Sequence, residues 1–231
     1  MIGLQFPWQA QVSITPSLNM LALDMHVGWA LVLGAATARL LQPVQRLART
    51  GAILLVMLLC LLPNEWSPSW WLGLAFQTPS LVLQMLCALY LYRAWRTAYR
   101  AHVALSEPDT LTSNIAWPAS LVWAAIVLGW LLLLDTFAWF DVALYAIGFT
   151  PYAVLAALLF ACLLQLISAR SAHAAHTQHC RELAAVILIA LLLHVFTRLP
   201  TGNVWDALLD PWLWLWAHLI MLMRLKRSVF G

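Results

Sequence analysis

Charged residues are scarce in this chain. Of its 231 residues, 12 are Lys or Arg and 9 are Asp or Glu, which together make 9% of the sequence. Apolar residues make up 64%, and the mean hydropathy is +0.84. So few charges cannot cover the surface of a soluble domain of this size, and apolar runs recur along the whole length. The composition therefore predicts a polytopic integral membrane protein surrounded by the lipid bilayer.

Several signatures of soluble chemistry are also missing. The sequence contains no P-loop, no GxSxG motif and no Rossmann fingerprint, which argues against nucleotide-driven chemistry within this chain. The net charge of +3 does not predict nucleic-acid binding, because the basic residues lie in small clusters between apolar runs. The cysteines are scattered and form no CxxC pair, which predicts neither a disulfide framework nor a zinc knuckle. They are Cys60, Cys87, Cys162 and Cys180.

Apolar runs of about 20 residues mark the helices that can cross a bilayer. We predict an all-α, seven-transmembrane-helix bundle that forms a single domain over residues 1–231. Because the first basic residue, Arg39, follows the first apolar run, we predict no cleavable signal peptide. The seven spans have approximate bounds of 16–41, 51–63, 79–97, 118–139, 151–169, 182–199 and 211–226.

The basic residues predict the orientation of the bundle. Eleven of the twelve fall on one side of the predicted spans, and the exception is Arg198. The positive-inside rule makes that side cytoplasmic. Acidic loop residues and Trp-rich turns fall on the other side, where interfacial tryptophans are expected. We therefore predict an outside N-terminus, a cytoplasmic C-terminus and a location in the bacterial inner membrane.

Four helices that enter from the outside begin at a recurring signal. A Thr-Pro pair occurs at 15–16, 78–79 and 150–151, and an Asp-Pro pair at 210–211. We expect the Thr or Asp to cap each helix and the proline to occupy the first helical position, where its missing N–H costs nothing.

Six polar side chains fall in the outer half of the predicted bundle. Counting 1.5 Å per residue from Thr15 puts Asp24 roughly 13 Å and His26 roughly 16 Å down the first helix, near the middle of a core about 30 Å thick. An ionisable group at this depth is costly unless it is paired or hydrated, so we expect a functional site. Arg198 is the expected ion-pair partner of Asp135 or Asp206. The full set is Asp24, His26, Asp135, His194, Arg198 and His218.

Three functions can use this set. The similar depth of His26, His194 and His218, beside Asp24, favours a cofactor-handling role with haem b or a transition metal, as an accessory protein or a membrane subunit of a redox complex. One alternative is a small proton-coupled transporter in which Asp24 and the histidines relay protons. Another is a non-catalytic scaffold subunit. The expected partners are other membrane subunits or a second copy, and we do not expect an enzyme that acts on its own.

A second candidate metal site lies on the cytoplasmic side, in the sequence HAAHTQHC at 173–180. On a helix, His173, His176 and Cys180 share a face and can bind zinc, nickel or copper. The competing interpretation is an exposed polar linker, because no second cluster completes the site.

Overall fold

The computed structural model describes residues 15–103, 119–170 and 174–230. These residues form helices and connecting turns with no β-strand among them, which confirms the all-α class. Each of the seven predicted apolar segments coincides with a helix of at least 15 residues. These helices are α1 (Leu18–Leu40), α2 (Arg46–Cys60), α4 (Leu81–Val103), α5 (Ala119–Thr136), α7 (Pro151–Arg170), α8 (Ala174–Thr197) and α10 (Pro211–Phe230).

Short helices occupy the connections at one end of the bundle, and the sequence analysis missed them. α3 (Pro68–Phe76) lies between α2 and α4, α6 (Leu144–Ile147) between α5 and α7, and α9 (Val204–Leu208) between α8 and α10. Side chains cap all three: Ser67 accepts a hydrogen bond from the backbone of α3, Asn203 accepts one from the backbone of α9, and Asp135 accepts two from the backbone of α6. The connections at this end are therefore ordered structure that packs against the long helices.

Helices α1, α4 and α8 connect α2, α3, α7 and α9 to one another. α1 packs against α2, α3 and α4, and α4 packs also against α8 and α9. α8 packs against α7. Helix α5 packs against α10 and α6. Small residues let the helices approach closely. A Cβ atom on Gly34 would lie 2.9 Å from the Met57 side chain, and one on Gly129 would lie 2.2 Å from the Trp214 ring.

Polar contacts at opposite ends of the bundle relate the long helices to one another. An ion pair between Arg93 and Glu182 joins the C-terminal half of α4 to the N-terminal part of α8. At the other end, the Asp210 carboxylate accepts hydrogen bonds from the backbone N–H of Leu213 in its own helix, at 2.6 Å, and of Ser80 at the start of α4, at 2.7 Å. Helix α4 therefore runs opposite to α8 and begins at the same end as α10.

The predicted helix starts are correct at two of the four Pro signals. α7 and α10 begin at the prolines Pro151 and Pro211, as predicted. The prediction is wrong for α1 and α4, because the caps are Ser17 and Ser80, two residues after the threonine. Serine is favoured at the N-cap because its hydroxyl oxygen can accept a hydrogen bond from the backbone N–H group three residues later.

Two stretches of the described residues, Leu18–Leu40 and Cys180–Thr197, are long and apolar enough to cross a membrane. Two more apolar stretches, Leu121–Thr136 and Pro151–Leu166, are shorter. The long helices also carry large apolar side chains on their outer faces; for example, Phe196 is 79% exposed. These features indicate association with a membrane, and by length and hydropathy they support two of the seven predicted spans.

Candidate functional site

Asp24 lies in the interface between α1 and α4 with few polar partners. The residue is only 7% exposed, and its Oδ1 atom accepts a hydrogen bond from Gln84 Nε2 at 3.0 Å. Its Oδ2 atom is buried without a partner among the described residues. Gln84 is itself held in place, because the same Nε2 atom donates to the backbone oxygen of Pro79 at 2.9 Å. The carboxyl group is therefore half-satisfied by a fixed amide of the neighbouring helix.

Gly28 makes room for this contact. It lies one turn after Asp24 on the same face of α1, and a Cβ atom there would come within 2.9 Å of Gln84 Nε2. Gln84 is absent from the site that the sequence predicts. The sequence contains one signal for the role of Gln84, which is an amide side chain in the middle of the apolar run LVLQMLCAL.

His26, two residues further along α1, has different partners. Its Nδ1 atom lies 2.9 Å from the backbone oxygen of Cys60, the last residue of α2, and 3.3 Å from Ser67 Oγ. Ser67 donates to the same Cys60 oxygen at 2.7 Å. Carbonyl groups at the end of a helix have no partner within the helix. His26 and Ser67 therefore satisfy the end of α2 and attach it to α1.

His194 is almost fully enclosed near the end of α8. It is 1% exposed, and its Nδ1 atom donates to the backbone oxygen of Leu199 at 2.8 Å. Its Nε2 atom is buried and has no partner in the part of the chain that the structure describes. The chain turns sharply just beyond it, where Arg198 has a positive φ of 60°. The backbone N–H of Arg198 donates to the His194 oxygen at 2.7 Å, which closes the helix.

The predicted ion pair of Arg198 with Asp135 or Asp206 is wrong: neither carboxylate lies within 4 Å of its guanidinium group among the described residues. Asp135 instead caps α6, accepting from the backbone N–H of Leu144 at 3.0 Å and of Tyr145 at 2.7 Å. Free N–H groups at a helix start attract a carboxylate as strongly as a distant cation does.

Asp206 accepts hydrogen bonds from the hydroxyl groups of Tyr145, at 2.7 Å, and Thr201. Burial and the adjacent Asp206 carboxylate raise the pKa of the Tyr145 phenol, so it remains the donor. This contact joins α6 to α9.

Asn203 and Gly148 complete the contact between α6 and α9, and the sequence analysis missed both. Asn203 is fully buried; its Nδ2 atom donates to the Tyr145 backbone oxygen at 3.0 Å, and its Oδ1 atom accepts from the Trp205 N–H at 2.9 Å. The Gly148 backbone oxygen accepts from Val204 at 3.0 Å. A Cβ atom on Gly148 would lie 1.8 Å from Asn203 Oδ1, so only glycine fits there.

His218 joins α10 to α5. Its Nδ1 atom donates to the Trp214 backbone oxygen at 2.9 Å, and its Nε2 atom accepts from Trp130 Nε1 at 3.3 Å. The His218 ring packs edge-on against Trp214, with the ring centroids 4.7 Å apart. Both ring nitrogens thus have partners, and the residue serves as an interhelical contact.

The three histidines of the predicted cofactor site therefore have three separate sets of partners. Within the described ranges, no three His, Cys, Asp or Glu side chains lie close enough together to hold a metal ion. At the second predicted metal site, His173 and the side chain of His176 lie outside the described residues. Cys180 is buried in α8.

No protein family model, curated protein or solved structure matches this chain. Its function is therefore argued from the geometry of the site alone.

Replacing Gly148 tests the contact between α6 and α9. In Gly148→Ala the new methyl group overlaps Asn203, which must move and lose its two hydrogen bonds. We expect the free energy of unfolding in detergent to fall by about 2–4 kcal/mol. The control is Gly51→Ala on α2, where a Cβ atom meets nothing within 4 Å. That variant should keep its stability or gain up to about 1 kcal/mol. Equal stabilities of the two variants would contradict this packing.

Proposed function

We propose that this chain is a proton-coupled membrane transporter of seven transmembrane helices, in which Asp24 binds and releases the proton. The observation that carries the proposal is the Asp24 carboxyl group, which is buried between two long apolar helices and has one oxygen atom without a partner within residues 15–103, 119–170 and 174–230. A carboxyl group in this environment is costly to maintain, and such groups commonly mark ion or proton pathways.

The exposed surface of the helices supports insertion in a membrane. Large apolar side chains point outward on every long helix, including Leu58 on α2 (63% exposed), Leu159 on α7 (71%) and Leu222 on α10 (63%). A soluble protein rarely exposes contiguous apolar surface of this extent, whereas lipid tails cover it without cost.

The contacts at the two ends of the bundle support the predicted grouping of the helix ends on two sides. The cytoplasmic end, assigned from its basic residues, is where Arg93 meets Glu182 and where Gln42 of the α1–α2 connection donates to Tyr90 of α4 at 3.4 Å. At the opposite end, the Asp210 carboxylate before α10 accepts a hydrogen bond from the backbone N–H of Ser80 at the start of α4, at 2.7 Å. Residues assigned to one side of the membrane thus meet one another in the fold.

The surroundings of Asp24 suit reversible proton binding. Asp24 lies about 9 Å from the start of α1, at 1.5 Å per residue, which is within the outer half of the membrane. Gln84 holds Oδ1, so a proton can occupy Oδ2 while the hydrogen bond to Gln84 is kept. Because Gln84 belongs to α4, gain or loss of the proton changes the strength of the α1–α4 contact. In this way protonation is coupled to helix movement.

Cysteine labelling tests the membrane topology. In a chain whose four native cysteines are replaced by alanine, we expect Asp141→Cys to react with a membrane-impermeant maleimide on intact cells. Ser228→Cys should react only after the cells are opened. Both positions are exposed, so burial does not affect the comparison. Equal labelling of the two sites on intact cells would contradict the proposed orientation.

Substitution of Asp24 tests the proton site. Asp24→Asn keeps the shape and the acceptor for Gln84 but cannot exchange a proton at this carboxyl group. We expect the infrared titration of the purified protein to lose one carboxyl group, and proton flux in proteoliposomes to fall at least tenfold, with helicity unchanged. Asp141→Asn, on an exposed loop, is the matched control and should keep its flux. Full flux in Asp24→Asn would show that Asp24 is not the proton site.

His194 supports a second candidate function, cofactor handling. Its Nδ1–H group donates to a backbone carbonyl, the arrangement that orients metal-binding histidines, and its Nε2 lone pair is buried without a partner. Under this proposal, the purified protein carries haem or a transition metal that His194→Gln removes. An absorption spectrum and elemental analysis test it, and protein purified without bound haem or metal would contradict it.

A further inference from the structure

An apolar cavity of about 280 Å³ lies between α5 and α7 and is also lined by α8 and α9. Alanines on the two facing helices create it, since larger side chains at those positions would close the gap. α5 packs mainly against α10, and α7 mainly against α8, so neither helix fills the space between them. The alanines are Ala124 and Ala125 on α5 and Ala156 and Ala157 on α7.

The lining offers no hydrogen-bonding group to a ligand. Trp205 of α9 is the only side chain of the lining with a polar atom, and its Nε1–H group already donates to the backbone oxygen of Leu144 at 3.1 Å. A polar ligand would lose its bonds to water here and gain none in return. The occupant must therefore be a hydrocarbon.

The volume suits a segment of hydrocarbon chain. Apolar cavities of roughly 150 Å³ stay free of water and take up a benzene ring, and this cavity is almost twice as large. Water has no polar partners there to hold it.

The open side of the cavity faces the apolar exterior of the bundle. Ala156 and Phe160 lie on its rim and are exposed, and Leu159, next to them on α7, is 71% exposed. This exterior is the surface that we assign to lipid, so acyl chains are the hydrocarbon in direct contact with the opening. We propose that the cavity binds one acyl chain of a bilayer lipid, which fills the space between α5 and α7.

This inference depends on the membrane insertion proposed above but not on the proton site. No residue of α1 lines the cavity, and neither Asp24 nor Gln84 contributes to it. A lipid chain bound there holds the α5–α10 pair against α7 and α8.

Photocrosslinking tests the lipid site. The full chain is reconstituted in vesicles that contain phosphatidylcholine with a diazirine in its acyl chain, then irradiated, and the adducts are mapped by peptide mass spectrometry. Val186, which lines the cavity and is only 6% exposed, reports on the site, and Leu159 reports on bulk lipid. We expect adducts at both positions in the natural chain. In Ala156→Phe, the ratio of Val186 to Leu159 adducts should fall at least fivefold.

The matched control is Ala36→Phe, at an exposed position on α1 away from the cavity, which should leave the ratio unchanged. Ala124→Phe fills the cavity from α5 and replaces Ala156→Phe if that variant does not fold. Adducts at Leu159 without adducts at Val186, or a ratio that the filling substitutions leave unchanged, overturn the lipid site alone. Absence of adducts at both positions overturns membrane insertion and, with it, the lipid site.

Discussion

One end of the bundle depends on one carboxylate, that of Asp210, which is shared between two helix starts. Each helix begins with N–H groups that have no partner within the helix, and near hydrocarbon no water replaces that partner. Asp210 serves Leu213 in its own helix and Ser80 at the start of α4. This fixes α4 and α10 at the same level and brings Trp212 against Phe76, with ring centroids 5.1 Å apart.

The same constraint explains the roles of the other polar residues near this end. Asp135 satisfies the first N–H groups of α6, and His26 satisfies the last carbonyl group of α2. His218 meets a backbone oxygen and a tryptophan N–H. A polar side chain that completes the backbone in this way removes a cost of about 1–3 kcal/mol for each unsatisfied group. Most polar residues of the candidate site therefore hold the helices in place.

Asp24 and His194 are the exceptions, because each keeps one buried polar atom that no described residue contacts through a hydrogen bond. They lie in different parts of the fold: Asp24 in the α1–α4 interface, and His194 where α8 turns towards α9. The proposed proton site uses the first, and the second candidate function uses the other. In both cases the function is assigned to a group whose hydrogen bonding the fold leaves incomplete.

The hydropathy pattern by itself determined the position of the seven long helices, because each apolar run has to be a helix for its backbone to be satisfied away from water. The charge pattern did not predict the partner of Arg93, which is Glu182 of α8. Only the tertiary structure decided which side chains face one another. Position along a helix predicts depth but not rotation, and His26, His194 and His218, for which we predict a similar depth, have separate partners. The sequence could not predict the roles of Gln84 and Asn203 for the same reason. Gln84 depends on the close approach of Gly28, and Asn203 on that of Gly148, and each glycine belongs to another segment of the chain.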